Sequence, residues 1–324
     1  MVLPFEGPLA EDLRRAGVEV LIRPLAVLRR GGPSLRSPIG ELTRLARQAA
    51  IVHSNTSVVL SGALAARIAG VPHVWHVREI YSGFGALWPA YRRLLETARA
   101  LPCVSGATAA QFSSASVIYD GLAADPTRSP AGRRVLDVPE GVPVIAVIGR
   151  ISDWKGQDVL VRALATPELR ERGTIGLLAG DAWPGAEDRR ERLLALADQL
   201  GVRDRLMLVG FRDDVEHVYG AADVVAVPST RPDPLPGAAI EAAAAGCAVV
   251  AADHGGLPEI IRDGETGRLV KPGDAAVLAS VAADLIDDPD QRERLGRAAS
   301  ADVRARFSPE RLLAAVHDLY ASLA

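Results

Sequence analysis

The sequence predicts an α/β protein of two domains, each built on a parallel sheet covered by helices on both faces. Three observations carry this. Short apolar, β-branched runs alternate with Ala/Leu/Arg segments of helical period through most of the chain, which is the pattern of βα units. The length of 324 residues exceeds one ordinary core and fits two of the usual size. Between the halves, the stretch from Asp120 to Pro143 is rich in Pro, Gly and charge, lacks a clean period and reads as the interdomain connection.

In the first half the reading places strands near Val18–Ile22, Ala50–His53, His73–Val77, Leu101–Val104 and Ser116–Tyr119, with helices between them. Their shortness suits a parallel sheet buried on both faces. A second sheet begins at Val144, where "VIAVIGR" is a strand ending in Gly. Further strands follow at Ile175–Ala179, Leu206–Val209, Val224–Val227, Ala248–Ala251 and Arg268–Val270. The segments "DPDQRERLGRAASADVRARF" and "SPERLLAAVHDLYASL" read as helices. Ser308, Pro309 and Glu310 start the second with a cap, a first-position Pro and an early acid. The expected division is 1–140, 141–307 and a final helix, 308–324, crossing back to the first domain.

Composition excludes several classes. Hydrophobic residues are 48% and charged residues 24%, as in an ordinary soluble globular protein. A net charge of -3 gives no general pull toward nucleic acid, so none is expected as a partner. Cys103 and Cys247 each lie in an apolar stretch and read as small buried side chains, which points to the cytoplasm. No stretch approaches the roughly 18 apolar residues of a membrane span. The segment "GALWPAYRRLL" fits either a peripheral contact with the inner membrane face or an amphipathic core helix.

Chemistry concentrates in the second half. Arg150 follows a strand and Lys155 opens a helix, so both can converge above strand ends, where α/β sheets bind ligands. Arg offers a planar fork for two phosphate oxygens, and Lys a mobile point charge; together they suit a diphosphate, framed by Gly149 and Gly156. Glu241 lies one helical turn after Gly237, so with a helix starting near Pro236 both fall on one face. The N–H groups of Gly237 and Ala238 at that helix start suit a phosphate. In "HGGLPEII", Gly255 and Gly256 permit close approach of the backbone at Gly256 and Leu257 to an anion, and Pro258 begins a helix.

Four segments in this order, "GRISDWKGQDVLVRAL", "LLAGD", "LVGFRDDVEHVYGAADVVAVPS" and "DPLPGAAIEAAAAGCAVVAADHGGLPEIIRDGETGRLV", together resemble the retaining glycosyltransferases called family 4 or group 1. The resemblance covers nearly all of Val144–Asp288 and, more weakly, the first half. It implies the GT-B fold, two Rossmann-like domains facing a central cleft, and metal-independent transfer of a hexosyl group with retention. It assigns Arg150 and Lys155 to the donor diphosphate. Asp233 and Glu241 stand where the family has Glu-x7-Glu, so Glu241 is expected at the donor ribose and Asp233 at the donor sugar. Pro236 stands where the family commonly has Gly, which removes one amide donor. The co-substrate is a nucleotide-diphosphate sugar, and no further cofactor is expected. Acceptors remain open among carbohydrate, lipid-linked and small-molecule hydroxyls, so polysaccharide, glycolipid and natural-product glycoside synthesis all fit.

In the first half, "VPHVWHVREIYS" resembles the strand whose end often presents a His near the reacting sugar. His76 and Arg78 are the two candidates there; His76 reads equally as a packed strand residue, as does His53. The usual first strand, Gly-rich turn and first helix have no counterpart, so the first domain is expected to lack them here, with a longer native chain supplying about 30 residues. Asp288 to Asp290 reads as a turn before a helix, and no metal is expected. Catalysis then rests on stabilising the leaving group. Three rivals are weighed. A hydrolase would use Asp233 and Glu241 as acid and base, but neither has an evident pKa-raising apolar pocket. The others are a nucleotide-sugar-binding protein without turnover and an epimerase, which needs an acid/base pair not evident here.

Overall fold

The structure is a computed structural model that describes residues 1–28, 37–81, 83–122 and 124–323. Two compact units make up the chain: Met1–Tyr119 with Leu313–Ala324, and Asp120–Leu312.

The second unit is built on β7 (Val144–Ile148), β8 (Ile175–Ala179), β9 (Leu206–Gly210), β10 (Val224–Val227), β11 (Ala248–Ala252) and β12 (Arg268–Val270). These form one parallel sheet in the order β12-β11-β10-β7-β8-β9. The central strands are buried along almost their whole length, which is why they read as unbroken apolar runs. Helices on the sheet are set by local signals. Gln157–Leu164 starts after Gly156 in the left-handed conformation and buries Val159, Leu160, Ala163 and Leu164. The side chains of Asp274 and Asp288 accept hydrogen bonds from Val277 and Gln291 at the starts of Ala275–Asp287 and Pro289–Arg306. Asp288 is thus a helix cap.

The stretch read as a connection, Asp120 to Pro143, folds with the second unit. Arg128 donates to the carbonyls of Tyr219 (3.1 Å) and Ala222 (2.9 Å), Ser129 N donates to Glu216 O (2.9 Å), and Arg133 pairs with Asp223 at 2.9 Å. Gly132 starts a four-residue helix pressed so close that a Cβ there would lie 2.3 Å from His217 O. Anchoring through arginines and backbone carbonyls leaves no periodic apolar trace, so composition alone reads as a linker.

In the first unit β1 (Val2–Leu3) pairs in parallel with β2 (Leu21–Ile22), β3 (Val52–Ser54) with β4 (His73–Trp75), and β5 (Pro102–Cys103) with β6 (Ser116–Val117). Bridges Val74–Ala100 and Val77–Cys103 set β5 beside β4. Among the described residues no ladder joins β1 and β2 to β3. The sequence reading places no strand before Val18; β1 is two residues long, too short for any period to show. Trp75, Val77, Tyr81, Tyr91, Leu95, Leu101 and Cys103 form the main core of this unit. The helix Trp88–Leu95 sends Tyr91 and Leu95 into it and leaves Leu94 exposed, as is Leu87 just before it. No described helix is long and apolar enough to cross a membrane. Cys103 and Cys247 are buried free thiols, pushed up to about 12 and about 11 by desolvation. The last helix, Pro309–Ala321, is capped by Ser308, which accepts from Arg311 N at 3.3 Å. From Leu313 onward it belongs to the first unit, where the Tyr320 hydroxyl and His53 Nδ1 share a 2.6 Å hydrogen bond.

Candidate functional site

Glycines let the loops leaving the C-terminal ends of β7, β8, β10 and β11 touch one another. Gly149 N donates to Ala179 O (2.8 Å), and a Cβ at Gly180 would meet Gly149 O at 2.3 Å. Gly156, at φ +79°, lies so near β10's exit that a Cβ would be 1.9 Å from Pro228 O. The loop between them is pinned by Thr230 N donating to Trp154 O (2.7 Å), and Gln157 Nε2 donates to Arg150 O (3.0 Å). Gly255 and Gly256 pack on the following loop, where added Cβ atoms would lie 2.4 Å from Asp233 O and 2.1 Å from Pro234 O.

This framework fixes the charged groups. Lys155 Nζ donates to Asp233 Oδ2 at 2.6 Å, with side-chain exposures of 23% and 7%. Both residues are candidates from the sequence, which carries no sign that they meet. Arg150 is exposed, its guanidinium 4.5 Å from the centre of the Trp183 ring. Lys155 in turn lies 4.5 Å from the centre of the Trp154 ring. The Asp181 carboxylate accepts from Phe211 N at 2.9 Å, tying the loop after β8 to that after β9.

The helix Gly237–Ala244 begins as expected, with extended Pro236 as its cap and Ala239 N closing the first turn on Pro236 O at 3.0 Å. The earlier N–H groups, at Gly237 and Ala238, fall before that ladder. Glu241 is one turn on, with Oε1 3.5 Å from where a Gly237 Cβ would stand. Its Oε2 accepts from the buried Tyr219 hydroxyl at 3.2 Å. Glu241 is exposed, yet desolvation by the neighbouring chain raises its pKa, with the Tyr219 hydrogen bond opposing. The sequence reading had found no pKa-raising pocket for either acid; at Glu241 the fold supplies desolvation that raises the pKa, which the Tyr219 hydrogen bond opposes. A cavity of about 430 Å³ adjoins both, lined also by Thr127, Asp213, Val215 and Glu216.

At the third loop, Gly256 N donates to Asp233 O (2.8 Å) and Leu257 N to His254 O (3.3 Å). Both amides therefore bond within the framework, and the Leu257 side chain is in the core. Pro258 lies in the first turn of the four-residue helix Leu257–Ile260. The His254 ring bonds Ser229 O through Nε2 at 2.8 Å. Sequence reasoning missed Trp154, Trp183, Tyr219 and His254. Trp154 beside Lys155 was the one visible signal, since the others approach only through folding.

The first-unit candidates sit at the ends of β3 and β4. His76 is 3% exposed, its N donates to Ser54 O (2.9 Å), and its ring stacks on His53 at 5.6 Å. Burial lowers the His53 pKa. Arg78 is half-buried, with Nη1 3.5 Å from Asn55 Oδ1, and its backbone N donates to Glu79 Oε2 at 3.1 Å. Glu79 also accepts from Ser57 N (3.2 Å) and from the Thr56 and Ser57 hydroxyls, which knits the two loops together.

The chain is similar in sequence and fold to known proteins. The chain is 38% identical over 224 residues to the D-inositol 3-phosphate glycosyltransferase of Streptomyces scabiei, an overlap of 63% of this chain and 49% of that one. It spans about half the length of the curated relatives it matches. Among solved structures it resembles Anabaena HepE in complex with UDP and glucose, with a TM-score of 0.85 and 27% identity, covering 99% of this chain and 91% of that one. Its fold also resembles sucrose-phosphate synthase from Thermosynechococcus elongatus, with a TM-score of 0.78 and 24% identity over 97% and 91% of the two chains. Both likenesses run through both units, and the fold is GT-B, with α/β units on parallel sheets. The profile of the glycosyl transferases group 1 matches residues 129–302, the part of the chain that carries the Lys155, Asp233 and Glu241 loops, and the chain belongs to that family.

Proposed function

We propose that this chain is a retaining glycosyltransferase that moves a sugar from a nucleotide-diphosphate sugar to an acceptor hydroxyl. The observation that carries the reading is the framework of loops joining Lys155 and Asp233 beside the helix start at Gly237, with Glu241 one turn on. A diphosphate matches the ammonium, the Arg150 fork and the first amides of that helix. Glu241, near a cavity, is suited to accept from ribose hydroxyls, and Asp233 from a sugar hydroxyl. The bond from the anomeric carbon to the phosphate oxygen breaks with its electron pair passing to the diphosphate. The acceptor oxygen bonds to the anomeric carbon, and its proton goes to the leaving phosphate. Arg150 and Lys155 stabilise the charge that develops there.

HepE's complexes with UDP, with UDP and glucose, and with UDP-glucose make UDP-glucose the first donor to try. The names of the curated relatives put a phosphorylated polyol among the acceptors to test, beside saccharide, lipid-linked and small-molecule hydroxyls. His76 and Arg78 are assigned to the reacting region, Arg78 as the more accessible of the two. Two buried free thiols agree with a reducing compartment, so the cytoplasm is proposed, at the inner membrane face where the acceptor is lipid-linked. Although the Glu241 pKa is raised, Asp233 is held by Lys155, an arrangement less apt for an acid/base pair of a hydrolase.

Calorimetric titration with UDP, GDP, ADP and dTDP tests the reading, with Lys155→Ala and Glu241→Ala as controls. Binding of one nucleotide, weakened in both variants, is expected. Absence of binding by the folded wild-type chain refutes it.

A further inference from the structure

We propose that Trp154 and Trp183 are positioning residues of the donor site, each holding one of its two cations by the face of its indole. The proposal rests on the donor-site reading above and adds to it two residues outside its phosphate- and sugar-binding set. Among 37 Lys and Arg, three described side chains lie over an aromatic ring: Arg150 over Trp183, Lys155 over Trp154 and Arg306 over its neighbour Phe307. Two of the three are thus the cations independently assigned to the diphosphate. The chain's other tryptophans, Trp75 and Trp88, pack within the first unit.

The physics of the contact explains its use. An indole face carries negative potential, so it attracts a cation without accepting a hydrogen bond from its edge. A guanidinium held over the ring face at 4.5 Å gives up no N–H group to a hydrogen bond with it, so those groups stay available for phosphate oxygens. Arg150 is exposed, and without the ring its long side chain would give up more rotamer freedom when a ligand immobilises it. Lys155 has three N–H donors. Asp233 takes one at 2.6 Å, and the Trp154 face steadies the ammonium from a second side, leaving donor capacity for a phosphate.

The backbone supports both rings. Trp154 is pinned by its carbonyl, which accepts from Thr230 N at 2.7 Å, so its indole is carried on the same fixed loop as Lys155. Trp183 follows Ala182, which bridges to Ile151, the residue after Arg150. Trp183 itself is 59% exposed, an unusual place for a large ring whose only use is packing.

The test is titration calorimetry with whichever of UDP, GDP, ADP or dTDP the wild-type chain selects, and with inorganic pyrophosphate. Trp183→Ala is expected to weaken nucleotide binding about twofold to fivefold, and the less exposed Trp154→Ala about fivefold to tenfold, with pyrophosphate affinity falling by the same factors. Trp183→Phe and Trp154→Phe keep most of the affinity. In an Arg150→Ala background Trp183→Ala costs nothing further, and in Lys155→Ala neither does Trp154→Ala, because each ring acts through its cation.

Unchanged binding in the Ala variants, loss equally severe in the Phe variants, or undiminished loss in the cation-free backgrounds overturns the proposal while the donor-site reading stands. If the wild-type chain binds none of the four nucleotides, the donor-site reading falls and takes the proposal with it.

Discussion

Lys155→Met separates the structural role of this lysine, as the partner of Asp233, from its proposed role at the donor diphosphate. The change removes the ammonium but keeps an unbranched side chain, leaving Asp233, only 5% exposed, without its partner at 2.6 Å. At an effective dielectric of about 20 the pair attracts by about 6 kcal/mol before desolvation is counted. Removing one member of a fully buried pair costs about 3–5 kcal/mol. Because Lys155 retains 23% exposure, water screens part of this, and a loss of about 2–3 kcal/mol in urea unfolding is expected. Nucleotide affinity falls separately. A hydrogen bond to a charged group contributes about 1.5–3 kcal/mol, which is roughly 10- to 150-fold in Kd. The double variant Lys155→Met/Asp233→Asn no longer buries an unpaired charge, so stability returns to within about 1 kcal/mol of wild type while affinity stays low. Recovery of nucleotide affinity along with stability in the double variant would refute a donor role for Lys155 and leave it as the structural partner of Asp233.

Two further outcomes follow from the geometry. Gly156→Ala and Gly141→Ala both force a left-handed residue, at φ +79° and +75°, costing about 1–2 kcal/mol each. At Gly156 the new Cβ also meets Pro228 O at 1.9 Å, whereas Gly141 faces open space, so Gly156→Ala should lose at least about 1–3 kcal/mol more in urea unfolding and weaken nucleotide binding; equal losses would contradict the close approach. In the first unit His73 is 8% exposed, shares a 2.9 Å hydrogen bond with Ser54 Oγ, and is pushed down to about 4, chiefly by burial and then by neighbouring His53. Its folded pKa lies below the ordinary value of 6.5, so its contribution is present above pH 6.5 and is lost as pH falls through 6.5 toward 4. The shift corresponds to up to about 3 kcal/mol. Unfolding measured across that window should steepen in wild type relative to His73→Gln, and parallel curves would exclude the buried neutral imidazole.

Much of this protein was legible in its residues taken in order. The central strands of the second unit are apolar runs because a parallel sheet covered on both faces asks for apolar residues at nearly every position, and β7, β8, β10 and β11 lie where those runs stand. The start of Gly237–Ala244 and the turn from Gly237 to Glu241 were equally visible, since helical period and a preceding Pro are local properties.

Other features had no local trace. The stretch from Asp120 to Pro143 folds with the second unit because Arg128 and Arg133 reach carbonyls and a carboxylate some ninety residues away. Among the described first-unit strands β1, two residues long, is too short for a period to show, whereas β2 to β6 overlap the stretches read from the sequence. Sequence by itself determined the α/β class and the motif order, and it singled out the charged residues proposed for the donor site, because those depend on composition and spacing along the chain. Only the tertiary structure decided that Lys155 meets Asp233, that desolvation raises the Glu241 pKa against the opposing Tyr219 hydrogen bond, and that Trp183 lies beside Arg150. Those pairings join different loops or helices, and their distances are fixed by how strands pair in the sheet, how helices pack on it and by the glycines that let the loops close.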